Sequence, residues 1–452
     1  MERNWNSGRN GNHDIGPITA EADLQNWLRG MQRKIGKMPT LLSETAGSDA
    51  CCIFRVPESL VEINAKAYKP RIVSIGPYHH GQEHLRMIQE HKWRFLRALL
   101  TRKEDDHGAI ISHCFQAVAS LEMNIRECYS DQTNKFSGQD FVEMMVLDGC
   151  FIIELVCKFT ELVEKDPDDP IFKMDWVIPF LMRDLLKLEN QIPFFVLQIL
   201  FDLLVLNSRR SFACLALKFF SYMLERPPQV LDGANGFHGK HLLDLVRLSF
   251  CLPNKERLRG DTRDKLLRFI QPAEKLHRAG IKFKTRNDAD SFLDIKFSNG
   301  VLGVPPLPMD DFISSFLLNC VAFEQCHANS HKYITDYATF MGCLVHTPSD
   351  AGFLCDHKII QNCFGTDDEV ACFFSNVGKD VAIDIRKSYL SRLIEDVNEY
   401  YWNDWHVRWA SFRHKYFDSP WSFMSACAAL LLLILTSIQT FFAAFSYVRP
   451  AN

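Results

Sequence analysis

The sequence has no net positive charge and no N-glycosylation signal, and its first residues do not predict a secretory leader. Its 51 Lys and Arg residues are balanced by 55 Asp and Glu residues, which gives a formal net charge of -4, so the chain as a whole does not attract a phosphate backbone. No Asn-x-Ser/Thr sequence occurs, and residues 1–14 contain no apolar stretch of the kind that a signal peptide needs. We therefore expect no nucleic-acid partner and a body that faces the cytosol.

Signatures of known catalysts are also missing. The sequence contains no P-loop, GxSxG, HExxH, dinucleotide fingerprint or protein-kinase motif set, and it shows no repeat that would indicate a solenoid. The 15 cysteines are scattered through apolar stretches, as at Cys150, Cys157 and Cys214, and do not stand at the spacings of a disulfide scaffold. The sequence predicts reduced, buried thiols and no cofactor.

Charge is absent from one long run, residues 419–448, which stops four residues short of the C-terminus. As a helix, residues 421–447 would be about 40 Å long, more than the hydrocarbon layer of a bilayer. Trp421 and Tyr447 stand at its two ends, where aromatic side chains anchor a span at the membrane surface. The run predicts a single transmembrane helix at 419–448, followed by a short tail at 449–452.

The charges that flank this run predict its orientation. Arg408, Arg413 and Lys415 precede it, and Arg449 follows it. Because the side richer in Lys and Arg stays in the cytosol, the N-terminal domain is expected to be cytosolic. Insertion would follow translation, as for a tail anchor, and the plasma membrane and the endoplasmic reticulum both remain open as locations.

One face of the predicted span combines small and polar residues. Thr436, Gln439, Ala443 and Ser446 project onto this face when the run is drawn as a helix. Such faces allow helices to pair in lipid, although the run has no GxxxG motif and a single Gln can also be tolerated unpaired. The expected partners are thus the lipid bilayer and other proteins, including a second copy of the chain.

The rest of the chain predicts a mainly α protein. Residues 1–50 form a polar extension that we interpret as a mobile arm, and residues 51–418 form one large helix-rich domain with a small β-hairpin element. Apolar periodicity predicts helices at 83–100, 110–129 and 141–162, the last of them central because it is apolar nearly all round. A β-like run is expected at 72–75, and Asn299-Gly300 predicts the hairpin.

Two sets of residues could carry chemistry. His79 and His80 follow the β-like run, and imidazoles on a turn can transfer protons or bind a metal; Glu189 is a further acid in an apolar surrounding. The alternative is that these histidines hydrogen-bond a packed loop, and that Glu189, like Asp148 and Glu154, is paired with loop amides or arginines.

A weaker metal hypothesis concerns the segment 320–331. Cys320, His327 and His331 would share one face if the helix continued unbroken through Asn329-Ser330. A fourth ligand is absent, so no metal is predicted.

Ordered sequence blocks after residue 51 resemble a plant-specific family, domain of unknown function 247, also called uncharacterised protein family 0481. The blocks are VSIGPYHHG (73–81), HKW (91–93), DGCFIIEL (148–155), LENQIPFFVL (188–197), HLLDLVR (241–247), AGIKF (279–283), FLDIKF (292–297), AFEQC (322–326) and YFDSPW (416–421). Lys187 departs from the pattern, because the family usually has Leu before LENQ. The resemblance implies a mostly helical, membrane-anchored plant protein without an established reaction, some members being associated with stress responses or with self-recognition in grass pollination.

Two functional hypotheses follow from these patterns. The first is a membrane-anchored interaction or signalling module on the cytosolic side. The alternative is a membrane-bound hydrolase or metal enzyme centred on His79 and His80.

Overall fold

The computed structural model describes residues 21–36, 44–102, 107–205, 210–251, 269–379, 381–402 and 420–448. Within these ranges the chain is mainly helical, as predicted, and its strands are short. The tail 449–452 and the basic residues expected to set the orientation of the span lie outside the described residues.

Helices account for most of the N-terminal half. They are α1 (Glu21–Ile35), α2 (Glu58–Ile63), α3 (Ala65–Tyr68), α4 (Arg86–Thr101), α5 (His107–Ala119), α6 (Glu122–Glu127), α7 (Gly138–Phe159), α8 (Pro170–Lys173), α9 (Val177–Leu185), α10 (Phe194–Leu204), α11 (Phe212–Leu224), α12 (Pro228–Asp232) and α13 (Leu242–Phe250).

Helix α7 is the centre of the core. It packs against α4, α5, α10 and α11, and nearly all of its side chains from Phe141 to Lys158 are buried. The helix starts three residues before the predicted bound because the Ser137 side chain accepts a hydrogen bond from the Asp140 amide and caps its N-terminus. The prediction of a central helix is confirmed.

One predicted helix is divided in the structure, and the predicted N-terminal extension contains a helix. The single helix expected at 110–129 is divided into α5 and α6, and the Ser120 hydroxyl donates to the carbonyl of Ala117 at the break. Such local bonds from serine to the backbone compete with the helical pattern. In the predicted N-terminal arm, α1 forms a regular helix because its apolar residues recur at helical spacing.

The C-terminal half contains more helices and two small sheets. The helices are α14 (Ala273–Arg278), α15 (Asp311–Cys326), α16 (Tyr333–Leu344), α17 (Pro348–Asp356), α18 (Asp367–Val377), α19 (Ser391–Tyr401) and the C-terminal helix (Pro420–Val448). The strands are β1 (Lys282–Thr285), β2 (Lys296–Ser298), β3 (Val301–Val304), β4 (Leu307–Met309) and β5 (Ile360–Asn362).

The predicted hairpin is present as β2 and β3, which pair antiparallel with Phe297 opposite Leu302. Asn299 and Gly300 connect them with φ angles of 50° and 72°, the left-handed conformation that such a tight turn requires. The structure adds β1, which pairs parallel to β3, and a separate parallel pair of β4 and β5. The sequence near these strands does not predict the two parallel pairings, because parallel strands are connected by a long segment of chain and not by a tight turn.

The C-terminal helix has 29 residues and is long and apolar enough to cross a membrane. None of its most apolar window, 427–444, is buried against the rest of the protein. This exposure differs from that of α7, whose apolar side chains fill the core.

Candidate functional site

The segment 71–76 has no regular secondary structure, so it is not the strand expected from its β-like composition. Its amide groups are bound by side chains in place of a neighbouring strand. One carboxylate oxygen of Asp184 accepts hydrogen bonds from the amides of Arg71, Ile72 and Val73 at 2.7 to 3.2 Å. Asp184 lies in the last turn of α9 and is fully buried. Its carboxylate accepts the backbone hydrogen bonds that the carbonyl groups of a neighbouring strand would accept in a sheet.

Two further side chains hold the end of the segment. Asn190 accepts from the Ile75 amide at 2.7 Å and donates to the Val73 carbonyl at 3.1 Å, while Asp148 accepts from the Gly76 amide at 2.8 Å. Gly76 has a φ of +71°, and a Cβ at this position would lie 2.6 Å from the Gln191 carbonyl oxygen. The residue must therefore be glycine for both conformational and steric reasons.

Asp148 connects this loop to the core through a buried lysine. Lys92 in α4 places its ammonium group 2.5 Å from the second oxygen of Asp148 and equally close to the Ser74 carbonyl oxygen. Both charged side chains are almost entirely inaccessible to water. A pair of this kind offsets the cost of burying each charge only when the geometry supplies further hydrogen bonds, as it does here.

The acids predicted to be paired are indeed paired. Asp148 binds Lys92 and a loop amide, as described above. Glu154, one and a half turns further along α7, receives a hydrogen bond of 2.7 Å from Arg102, and Lys158 lies 3.7 Å away. The prediction of amide or arginine partners is confirmed for both residues.

Glu189 and His79 meet at the edge of the same loop. His79 Nε2 lies 3.2 Å from Glu189 Oε2, and His79 Nδ1 lies 3.1 Å from the side-chain amide nitrogen Nε2 of Gln82. Nδ1 thus makes the contact with Gln82, and Nε2 faces the Glu189 carboxylate at ion-pair distance. His79 therefore lies between these two side chains at the edge of the loop.

Glu189 has two other partners. Its carboxylate accepts from the Val56 amide and from the Arg55 guanidinium, both at 2.8 Å. Burial alone would raise the pKa of Glu189, but the hydrogen bond from His79 and the charge of Arg55 outweigh it and hold the pKa below its usual value. Glu189 is therefore an ionised anchor between the segment after residue 52 and the loop, a geometry that suits structure better than proton transfer at neutral pH.

His80 does not contact Glu189 and lies in different surroundings from His79. It is exposed, and its ring packs edge-on against Phe136 at a centroid distance of 5.6 Å. His79 is buried beside Glu189. The structure thus places the two histidines in different surroundings and brings only His79 together with Glu189.

The residues of the weaker metal hypothesis are also separated. Helix α15 ends at Cys326, and His327 is its C-cap, stacked on Phe323 with ring centroids 5.4 Å apart. Cys320 is completely buried, which raises the pKa of its thiol, whereas His331 is exposed beyond the helix. Among the residues that the structure describes, no group of three or more His, Cys, Asp or Glu side chains is arranged to hold a metal ion.

The residue patterns did not reveal a second buried cluster in the C-terminal half. Arg247 donates to Asp244 at 2.8 Å and to Glu324 at 3.1 Å, and Glu324 also accepts from the amides of Ile334 and Thr335. The signal that could have found it is the presence of charged residues inside the apolar blocks HLLDLVR and AFEQC, because buried charges require partners.

His241 extends this cluster to the N-terminal half. It caps α13 by accepting from the Asp244 amide, and its Nε2 lies 3.0 Å from the Cys52 carbonyl oxygen. Burial lowers the pKa of His241 to about 4, so the ring is neutral at physiological pH.

These features define a class of protein: a helix-rich body whose loops are fixed by buried charged and amide side chains, followed by an exposed apolar helix. The chain belongs to the family DUF247, described as "Plant protein of unknown function", whose profile matches residues 53–435. The resemblance seen in the sequence blocks is confirmed.

Two proteins of Arabidopsis thaliana are similar over most of their length. The UPF0481 protein At3g47200 is 41% identical over 436 residues, which cover 91% of this chain and 90% of the relative. The Putative UPF0481 protein At3g02645 is 22% identical over 497 residues, which cover 87% of this chain and 90% of the relative. No solved structure matches the chain significantly.

Proposed function

We propose that the protein is a single-pass, membrane-anchored interaction or signalling module whose helical body lies on the cytosolic side. The observation that carries the proposal is the C-terminal helix, in which the apolar window 427–444 is wholly exposed. An apolar surface of this length is costly in water and is matched by the hydrocarbon core of a bilayer. The anchor would confine the body to a membrane surface.

The cytosolic orientation rests on flanking charge. Three basic residues, Arg408, Arg413 and Lys415, precede the helix within the distance over which charge acts on topology, and Arg449 alone follows it. We propose that this helix, which follows the body in the sequence, inserts after translation, as a tail anchor does.

The body supports a binding role through its rigidity. Buried side chains bind the backbone amides of residues 71–76, and Arg247 binds Asp244 and Glu324, as the distances above show. Such networks hold a surface in one conformation, and a preformed surface loses less conformational entropy when a partner binds. We propose protein partners for this body, of the kind that stress or recognition signalling requires.

Pairing of the C-terminal helix would supply one such partner, a second copy. Gln439 is exposed on the surface of the helix, on the face that also carries Thr436 and Ala443; the side chain of Ser446, the fourth residue of this face, is outside the described ones. The Thr436 hydroxyl already donates to the Leu432 carbonyl within the helix. The Gln439 amide is therefore the group on this face that gains most from a partner helix, because lipid offers it no hydrogen bond.

A protease-protection experiment tests the anchor and its orientation. The full chain carries one epitope tag at each end and is expressed in plant cells, and protease is added to sealed membranes. We expect the N-terminal tag to be digested and the C-terminal tag to be protected until detergent opens the vesicles. Digestion of the C-terminal tag with protection of the N-terminal one would contradict the orientation, and release of the whole chain by alkaline carbonate would contradict the anchor.

Crosslinking in membranes tests pairing. The variant Gln439→Leu is expected to reduce the dimer yield, whereas Ser437→Leu, on another side of the helix, is a matched control. The Ser437 hydroxyl bonds to the Leu433 carbonyl within the same helix, so its loss leaves pairing unchanged. Equal dimer yields for the two variants would argue against this face.

A further inference from the structure

Helix α1 carries an apolar face that is open to solvent. One side of the helix carries Leu24, Leu28, Met31 and Ile35 at three- and four-residue intervals, with Trp27 next to Leu28 at the edge of this face. Their side chains are between 38% and 78% exposed. A contiguous apolar face on a short helix marks an interaction surface, because water penalises it.

The charges of α1 indicate what covers this face. From Leu24 to Ile35 the helix contains Arg29, Arg33 and Lys34 and no acidic residue. Its two acids, at positions 21 and 23, belong to the first turn, where negative charge is favourable to any helix. A bilayer surface with anionic headgroups complements this combination of an apolar stripe, a tryptophan and basic residues.

We propose that α1 lies flat in the interface of an anionic membrane, with Leu24, Leu28 and Met31 directed into the acyl region and Arg29 and Arg33 among the headgroups. The inference rests on the proposed membrane anchor, which keeps a bilayer within reach of the body. The protein would then contact the membrane at both ends of the chain, through one spanning helix and one in-plane helix.

A second copy of α1 is a less suitable occupant. The apolar positions 24, 28, 31 and 35 fit a heptad pattern for only two repeats, and a stable coiled coil needs three to four. Trp27 lies beside this seam and widens the apolar face beyond the narrow stripe that a coiled coil uses. The face is better matched to a fluid surface than to a partner helix.

Site-specific photocrosslinking of the full chain tests the proposal. Benzoylphenylalanine replaces Leu28 in one variant and the uncharged Asn26, on the opposite side of α1, in a control variant. Each full-length protein is reconstituted into vesicles of phosphatidylcholine with phosphatidylserine, irradiated and analysed by mass spectrometry for lipid adducts and on gels for dimers. We expect lipid adducts from position 28 and several-fold fewer from position 26.

The charge dependence is measured on the Leu28 variant. Adding Arg29→Gln should lower the equilibrium constant for the lipid-bound state of α1 about fivefold, the equivalent of about 1 kcal/mol for one basic residue at an anionic surface. Vesicles of phosphatidylcholine alone should lower it further. Adduct yields from position 28 that are independent of both changes would overturn the electrostatic part of the proposal.

The outcomes separate this inference from the proposed anchor. If the chain resists carbonate extraction but position 28 gives no lipid adduct, or gives dimers instead, the in-plane helix is refuted while the anchor stands. If carbonate releases the chain from the vesicles, the anchor itself has failed. Equal lipid adducts from positions 28 and 26 in an anchored chain would also refute the proposal, since they would show no preferred face.

Discussion

The guanidinium group of Arg247 and the carboxylate of Glu324 lie 3.1 Å apart in the interior, although 77 residues separate them along the chain. Each belongs to one of the sequence blocks typical of the family. Their contact joins α13 to α15, and Glu324 also accepts hydrogen bonds from the backbone amides of Ile334 and Thr335 at the start of α16. The blocks therefore include residues that fix the positions of helices relative to one another.

Removal of the cation from this cluster should be costly. Arg247→Met leaves Asp244 and Glu324 buried without their shared partner, and we expect the free energy of unfolding to fall by about 3 to 5 kcal/mol. Urea unfolding of the full chain in detergent, followed by far-UV circular dichroism, measures this change. The double variant Arg247→Met, Glu324→Gln should cost less than the sum of the two single variants, since the neutral amide still accepts from the backbone. Strict additivity would show that the two residues are not coupled.

Two buried lysines should respond in opposite ways to the same substitution. Lys92 faces the carboxylate of Asp148, whereas the Lys187 ammonium donates to the carbonyls of Lys66 and Ala67. We expect Lys187→Met to raise the free energy of unfolding at pH 7 by about 1 to 4 kcal/mol, because the cost of burying the ammonium group outweighs its attraction to Asp184. Lys92→Met should lower it by about 3 to 5 kcal/mol, because Asp148 is left unpaired. Equal losses for both variants would contradict this contrast.

The gain in the free energy of unfolding from Lys187→Met should become smaller as pH rises. Burial lowers the pKa of Lys187 from 10.5 to about 8. Between these two values the unfolded chain binds more protons than the folded chain, so the stability of the parent protein gains from this group as pH rises. The advantage of Lys187→Met should therefore be constant below about pH 8 and decline towards pH 10.5. Urea unfolding at pH 7, 8, 9 and 10 measures it, and an advantage that grows with pH would refute the assignment.

Gly76 and Gly81 allow steric and conformational effects to be separated. Both have positive φ angles, +71° and +81°, but a Cβ would contact the Gln191 carbonyl only at Gly76, while the space around Gly81 is open. Gly81→Ala should cost about 1 to 2 kcal/mol from the left-handed backbone alone. Gly76→Ala should cost about 3 kcal/mol or more, since overpacking adds to that strain. Thermal unfolding compares the two, and equal costs would show that the loop moves freely to accommodate the methyl group.

His79 and His80 should differ in their contribution to stability. His79→Ala removes a partner of the buried Glu189 carboxylate, and we expect a loss of about 1 to 3 kcal/mol at pH 7. His80→Ala, at an exposed position, should change the free energy of unfolding by no more than about 0.5 kcal/mol. Chemical unfolding of both variants measures the difference, and a larger loss at His80 would reverse the structural assignment.

The pH dependence of the His79 variant follows from Glu189. Its folded pKa lies below the ordinary value of 4.5, so the paired carboxylate stabilises the fold at pH above 4.5, and this stability is lost as pH falls through the folded pKa. The cost of His79→Ala should accordingly shrink in acid. A cost that is unchanged down to pH 3 would mean that the ionised form of Glu189 is not what His79 stabilises.

Local patterns were sufficient for several elements of the fold. The apolar surface of α7 and the Asn299-Gly300 turn are signals carried by neighbouring residues, and both are confirmed. The segment 71–76 is different, because Ile72, Val73 and Ile75 have the composition of a strand while their amides bind side chains from α9 and the chain after it. Composition indicates which secondary structure a segment prefers. It does not identify the distant side chain that will accept hydrogen bonds from the backbone amides of that segment.

The sequence by itself determined that the protein is mainly helical, that it belongs to its family, and that residues 419–448 form one long uncharged run. These properties depend on short-range periodicity, on ordered blocks and on the absence of charge over thirty residues. Only the tertiary structure decided that Glu189 pairs with His79 and Arg55, that Arg247 pairs with Glu324, and that the two adjacent histidines face different surroundings. The reason is physical: a buried charge must find its partner in space, and packing of the helices sets that partner at a sequence distance that no local pattern encodes.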